Sequence, residues 1–277
     1  MGGKEKRKKT CKIKKKSIIY IYILTFLIEL YLPMDNMEHA KKYWAKELTR
    51  FKIIKSVWIN EYIRMLGTDI MTAFKEKTGC VCCMDDRTED GQLRLAGSWI
   101  LLAEEIWIDG IVKIMKDYKV DEVTSHDDCG AARIYTELKW LDLSKSDEYA
   151  KEFSKRLAKE AELPYRHIKV DNQHAARCIY VDFTNRFNPM WIHGLPKGFE
   201  ITARGLPLKH IIDEIEVAYK ISTWEHWFGD RIDSNSQFYI FVVWTPDNFY
   251  NFVEWLNKLS VNAEWKIRID FFNTINF

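Results

Sequence analysis

The chain predicts an α/β fold: a mainly parallel central sheet flanked by helices, with an antiparallel addition in the C-terminal half. Three observations carry this. Short apolar runs of strand length (TGCVCCM, VDEVTSH, RCIYVDF, QFYIFVVW) alternate with longer helical patterns along the chain. Several of those runs are apolar on both faces, as buried parallel strands are. The last run differs: Trp265, Ile267, Ile269 and Phe271 alternate with Lys266, Arg268 and Asp270, the period of a half-buried, antiparallel strand.

In order along the chain, residues 1–16 carry nine Lys/Arg against one Glu, and an apolar run, SIIYIYILTFLIELYLP, follows over residues 17–33. A basic segment before an apolar one resembles a signal peptide or anchor. The run is short of the roughly 20 residues that span a bilayer, contains Glu29 and lacks a small-residue cleavage site. A start at Met34 or Met37 is the competing reading.

Residues 37–66 read as a helix and 78–84 as a strand after Gly79. Residues 99–118 read as a helix weakened at Gly110, 120–126 as a strand and GAARIYTELKW as a helix. Ser144 or Ser146 is placed to cap a helix running to about 162, with Tyr149, Phe153 and Leu157 on its apolar stripe. RHIKV and RCIYVDF follow as strands, LKHIIDEIEVAYKI as a helix and QFYIFVVW as a buried strand. Thr245-Pro246 then offers a cap and first-turn proline for another helix. The organisation expected is a leader over 1–33, a metal-binding lobe over 34–165 and an α/β lobe over 166–277.

Composition excludes some classes. Beyond residue 16 the chain has 33 Lys/Arg and 39 Asp/Glu, so its body is mildly acidic and argues against nucleic-acid binding. The six cysteines sit in a chain long enough to need no disulfide staples, and they are clustered rather than framed. A reducing, cytoplasmic setting is expected, with membrane anchoring through residues 17–33 as the alternative. Tryptophan is concentrated after residue 190, which reads as an aromatic core. The STWEHWFGD cluster around Trp224, His226 and Trp227 reads as a packed corner.

Chemistry concentrates at two strand ends. The first carries Cys83-x-Asp85-x-Arg87; the second carries His126-x-x-Cys129-Gly130. In open parallel sheets, sites form beyond the carboxyl ends of strands, so the two motifs are placed to meet. Two thiolates and an imidazole suit zinc, and three protein ligands leave one tetrahedral position open. Asp85 is able to accept a hydrogen bond at such a site or to ligate the metal and close it. Arg87 is able to hold Asp85 off the metal through a bidentate pair. Cys80 and Cys82 share one strand face and read as packed thiols, opposite to Cys83. A redox CxxC from Cys80 and Cys83 fits poorly, because the strand runs on where a helix N-terminus is expected.

CMDDR followed by HDDCGA resembles the CxDxR…HxxCG pattern of the β-class carbonic anhydrases. Arg94-Leu95-Ala96-Gly97 resembles that family's Arg-Asn-Ala-Gly segment, with Leu in place of Asn. The resemblance covers about residues 78–135. It implies zinc bound by Cys83, His126 and Cys129, with Asp85 and Arg87 as a catalytic dyad. It implies reversible hydration of carbon dioxide to bicarbonate by a zinc-bound hydroxide, and a homodimer with each site near the subunit boundary. Hydrolysis of a related small molecule such as carbonyl sulfide or carbon disulfide, or a non-catalytic zinc scaffold closed by Asp85 or Cys80, are the alternatives. Proton-shuttle candidates, by residue type, are His167, His174 and Asp127.

The segment between the motifs is shorter than in that family. RCIYVDFTNRF (177–187) echoes the first motif and FYIFVVWTPDNFYNF (238–252) the second, so a degenerate second copy and an internal pseudo-dimer are a further expectation.

Overall fold

The computed structural model describes residues 34–88, 90–102, 108–170, 176–225, 232, 236–244 and 266–273. The leader, His174, the 226–230 part of the Trp-rich cluster and the Thr245-Pro246 helix lie outside them. The chain divides into residues 1–45 and 46–277, and the second unit carries every strand described below. No helix among the described residues is long and apolar enough to cross a membrane.

The α/β class expected from the sequence is present as two four-stranded parallel sheets. The first contains β1 (Thr78–Cys83), β2 (Gly91–Leu95), β3 (Glu122–His126) and β4 (Tyr165–Ile168) in the order β2-β1-β3-β4. The second contains β5 (Cys178–Asp182), β6 (Phe199–Thr202), β7 (Phe238–Trp244) and β8 (Ile267–Asn273) in the order β6-β5-β7-β8. All six pairings are parallel.

The two sheets share a register as well as an order. Cys83 at the end of β1 pairs with Leu95, the last residue of β2. Asp182 at the end of β5 pairs with Thr202, the last residue of β6, and with Val243 on β7. His126 pairs with Ile168, and Trp244 with Asn273. Asp182 therefore stands where Cys83 stands, and Trp244 where His126 stands.

Helix α1 (Met34–Met65) breaks at Trp58, where the backbone turns to φ +67°. Phe51, Ile54, Ile59 and Ile63 of this helix pack with Tyr180, Tyr239, Phe241 and Phe272 of the second sheet. Around the first sheet stand α2 (Ile108–Asp117), α3 (Gly130–Leu138) and α4 (Ser146–Glu160). α5 (Leu208–Lys220) buries Ile211, Ile215 and Ala218.

Three local expectations change. No antiparallel strand is added among the described residues: β8 runs parallel to β7. Its alternation holds at buried Ile267 and inverts from Ile269 onward. Asp270 and Phe272 are buried, while Ile269 and Phe271 are half-buried. Beside the α1 break, Arg268 Nη1 donates to the Lys55 carbonyl at 3.0 Å, its guanidinium lies 4.6 Å from the Trp58 ring, and its Nε donates to Asp270. An alternating pattern reports that two faces differ, not which face is inside or which way the neighbouring strand runs.

Neither Ser144 nor Ser146 caps α4. Asp142 instead accepts from the Ser144 N–H and Oγ, opening a 3-10 turn over Leu143–Lys145 that feeds the helix. The stripe buried by α4 is Ala150, Ser154, Leu157 and Ala158, because small residues allow the helix to lie close to β3; Tyr149 and Phe153 flank it half-buried. Finally, residues 96–102 form a kinked turn with positive φ at Gly97, Ser98 and Trp99, and only Ile108 onward is α-helical among the described part of 99–118.

Candidate metal centre

The carboxyl ends of β1 and β3 bring the two motifs together. Cys83 is the last residue of β1, His126 the last of β3, and Cys129 precedes α3. All three are buried, and their ligand-capable atoms lie within 4.8 Å of one another. The two Sγ atoms are 3.9 Å apart. Tetrahedral zinc with Zn–S near 2.3 Å spaces two sulfurs at roughly 3.8 Å.

The imidazole is set for ligation. His126 Nδ1–H donates to the Asp127 carbonyl at 2.7 Å, and buried Nε2 has no partner of hydrogen-bond geometry among the described residues. A buried ring nitrogen beside two thiols is placed to serve as a metal donor. One sulfur has its own backbone donor, the Gly97 N–H at 3.2 Å from Cys83 Sγ. The donor set, its spacing and its burial all fit a zinc ion.

Without metal, the three groups hold one another's charge. Burial pushes the Cys83 thiol up, but hydrogen bonding from Cys129 and the charge on His126 outweigh it and bring Cys83 well below its usual value. Burial works against the His126 cation, yet Cys83 raises its pKa to about 9. The hydrogen bond to Cys83 and burial push Cys129 well up. A metal ion binding here therefore displaces the protons that Cys129 and His126 retain.

Asp85 stands beside the cluster and outside it. Arg87 Nη2 donates to Oδ2 at 2.7 Å, Nε reaches both oxygens at 3.1 and 3.2 Å, and the Arg87 backbone N–H donates to Oδ1 at 2.9 Å. Arg87 is held in turn by Asp128, through Oδ2 at 3.2 Å and the carbonyl at 3.1 Å. Asp128 has φ +55° and also binds Arg133. Arg94 closes the far side, donating to the Asp85 carbonyl at 2.6 Å. Asp128 thus joins the second motif to the first through Arg87.

Asp127 accepts from His167 Nε2 at 2.7 Å and from Lys151 at 3.2 Å. Cys80 and Cys82 point elsewhere: a Cβ on Gly91 would fall 3.0 Å from one sulfur and 2.4 Å from the other. No disulfide forms among the described cysteines.

Sequence reading identified the three donors and the Asp85–Arg87 pair. It missed the Gly97 amide, although Arg-Leu-Ala-Gly marked the segment, and it missed the role of Arg94. It also missed Glu214, whose carboxyl is buried under the same turn and accepts from the Ala96 N–H at 2.5 Å. No local pattern signals that contact across 118 residues. Comparison with family models, with curated proteins and with solved structures finds no match.

Proposed function

We propose that the chain is a zinc lyase of the β-class carbonic anhydrase type, hydrating carbon dioxide reversibly to bicarbonate. The observation that carries this reading is the relation of the Asp85–Arg87 pair to the Cys83–His126–Cys129 cluster. The cluster offers three buried donors, one fewer than tetrahedral zinc takes, and the carboxylate beside it is held by arginine instead of joining it. When bound, zinc supplies Lewis acidity that lowers the pKa of water.

The chain's own residues do the rest. Cys83, His126 and Cys129 would hold the ion, with two thiolates offsetting its charge. Asp85 accepts the hydrogen bond of the attacking water and orients it. Arg87 keeps Asp85 in its acceptor role and, through Asp128, ties the two motifs together. Asp127 and His167, both part-exposed, give the released proton an exit to solvent.

A closed structural site is the weaker reading. Asp85 is engaged by Arg87, and Cys80 lies with Cys82 against Gly91.

The same reading extends to the second sheet, which we take to be a degenerate copy, making one chain an internal pseudo-dimer with one metal site. The common strand order and register support it. In that register Cys83, Asp85 and His126 correspond to Asp182, Thr184 and Trp244, so the soft donors are gone, while Arg87 still meets an arginine, Arg186.

Metal analysis with stopped-flow hydration of carbon dioxide tests the proposal. One zinc per chain and a rate above the uncatalysed reaction are expected. Asp85→Ala should keep its zinc and lose about 10²-fold or more in rate, the size of a general acid–base contribution. A zinc-loaded wild type that hydrates carbon dioxide no faster than Asp85→Ala overturns the dyad assignment. Zinc without any hydration, but with turnover of carbonyl sulfide or carbon disulfide, replaces the substrate.

A further inference from the structure

We infer that Glu214, from the C-terminal half of the chain, is a positioning residue for the metal ligand Cys83, acting through the Ala96–Gly97 turn. The inference rests on the metal reading above. The turn touches two of the three ligands. Gly97 donates its N–H to Cys83 Sγ, and a Cβ at Gly97 would lie 3.5 Å from Cys129 Sγ and 3.2 Å from Ala131. Its backbone is bent in a way that needs support: Gly97, Ser98 and Trp99 all have positive φ, at 54°, 54° and 78°. For Ser98 and Trp99 that conformation costs energy that the surroundings must supply.

Two bonds hold the turn. Ser98 Oγ donates to the Thr124 carbonyl of β3 at 2.7 Å. On the other side the Ala96 N–H donates to Glu214 Oε2, so consecutive backbone amides go to the acid and to the ligand sulfur. With Ala96 fixed, the Gly97 amide is aimed at Cys83.

Glu214 is an unusual residue for that place. It is buried, and the Ala96 amide is its hydrogen-bond partner among the described residues. Burying a carboxyl against a single amide costs more than burying an apolar chain of the same size, so packing alone does not explain it. The C-terminal half meets the site at a second point, where Ile221 packs on Gly130, directly after Cys129; a Cβ there would fall 2.9 Å from Ile221. The second half of the chain therefore forms the rear of the metal site.

The test compares Glu214→Gln, which keeps an acceptor at the same place, with Glu214→Leu, which removes it. Zinc affinity is read by chelator competition, and the thiolate-to-metal charge-transfer band is read with Co²⁺ in place of zinc. Glu214→Leu should bind zinc about 10- to 100-fold more weakly, the range lost with outer-shell partners of metal ligands, and shift the band, while Glu214→Gln stays near wild type. A folded Glu214→Leu with wild-type affinity and band overturns the inference and leaves the metal reading standing. A wild type that binds no metal overturns both.

Should Glu214→Leu fail to fold, Glu214→Ser, too short to reach Ala96, takes its place in a ¹¹³Cd-loaded sample. Scalar coupling from cadmium to the Gly97 amide proton is expected in wild type and diminished in Glu214→Ser. Coupling of equal size in both overturns the inference.

Discussion

The ends of the two sheets have the same geometry and opposite chemistry. At the first, the last residue of the second strand in the order is Cys83, and it meets His126 and Cys129 in a buried cluster that fits a metal cation. At the second, the same position is Asp182. It closes its own turn, accepting from the Thr184 N–H at 2.8 Å and the Phe187 N–H at 3.1 Å. It also faces a cation already supplied by the chain: Lys77 Nζ lies 3.2 Å from Asp182 and binds Glu200. Lys77 precedes β1, so the first half provides the ion that the second half's acids need. Both ends thus gather buried donors suited to positive charge. What separates an ion site from an ion pair is the hardness of the donors and whether an ammonium already fills the place.

The largest effect expected from breaking this comparison is at Cys83. Cys83→Ser removes one thiolate and leaves His126 and Cys129 with too few soft donors, so zinc per chain should fall from one to near none by metal analysis. If zinc content is unchanged, the ion is held elsewhere and the likeness between the two ends loses its meaning.

Lys77→Met tests the other end. It leaves Asp182 and Glu200 buried without their ammonium, and breaking a buried pair by removing one partner costs about 3–5 kcal/mol. Burial disfavours the Lys77 cation, but Glu200 and Asp182 outweigh it and raise its pKa. Urea unfolding should therefore show a large loss of stability with zinc content intact. A loss under about 1 kcal/mol would mean that the acids are neutral in the fold and that Lys77 is no substitute for a metal.

The two ends were unequally legible in the sequence. Cys83, Asp85, Arg87, His126 and Cys129 announce themselves because short motifs at strand ends are local, and each motif lies on one continuous stretch. The edge strands β2 and β6 did not show. Each is five residues or fewer, and each carries a buried charge, Arg94 and Glu200. A charge inside a short strand reads as loop until its partner is known. Here the partners come from across the junction: Arg94 Nε lies 3.8 Å from Glu200, the Arg94 N–H donates to Thr202, and the Glu200 N–H donates to the Met84 carbonyl. β8 misled for the same reason, since Arg268 and Asp270 face a helix break more than 200 residues earlier. Periodicity records amphipathicity; it does not record which buried groups a distant segment leaves unsatisfied.

The smallest effect distinguishes two ways in which the C-terminal half buries an acid. Asp182 and Glu200 share a lysine, whereas Glu214 has an amide. Burial, the largest influence, raises the Glu214 pKa from 4.5 to about 8, and the nearby Cys83 adds to the rise while the Ala96 amide opposes it. Below about pH 4.5 the acid is protonated in both folded and unfolded chains and contributes no pH dependence. Between 4.5 and 8 the unfolded chain ionises and the folded chain keeps its proton, so stability falls as pH rises through that window and levels off above it. Glu214→Gln has no such proton. From pH 5 to pH 6.5, metal-free wild type should lose about 2 kcal/mol more than the variant, at ~1.36 kcal/mol for each pH unit of one proton. Parallel unfolding profiles for the two proteins across this range would show that Glu214 ionises normally, and that the acid under the Ala96–Gly97 turn is charged.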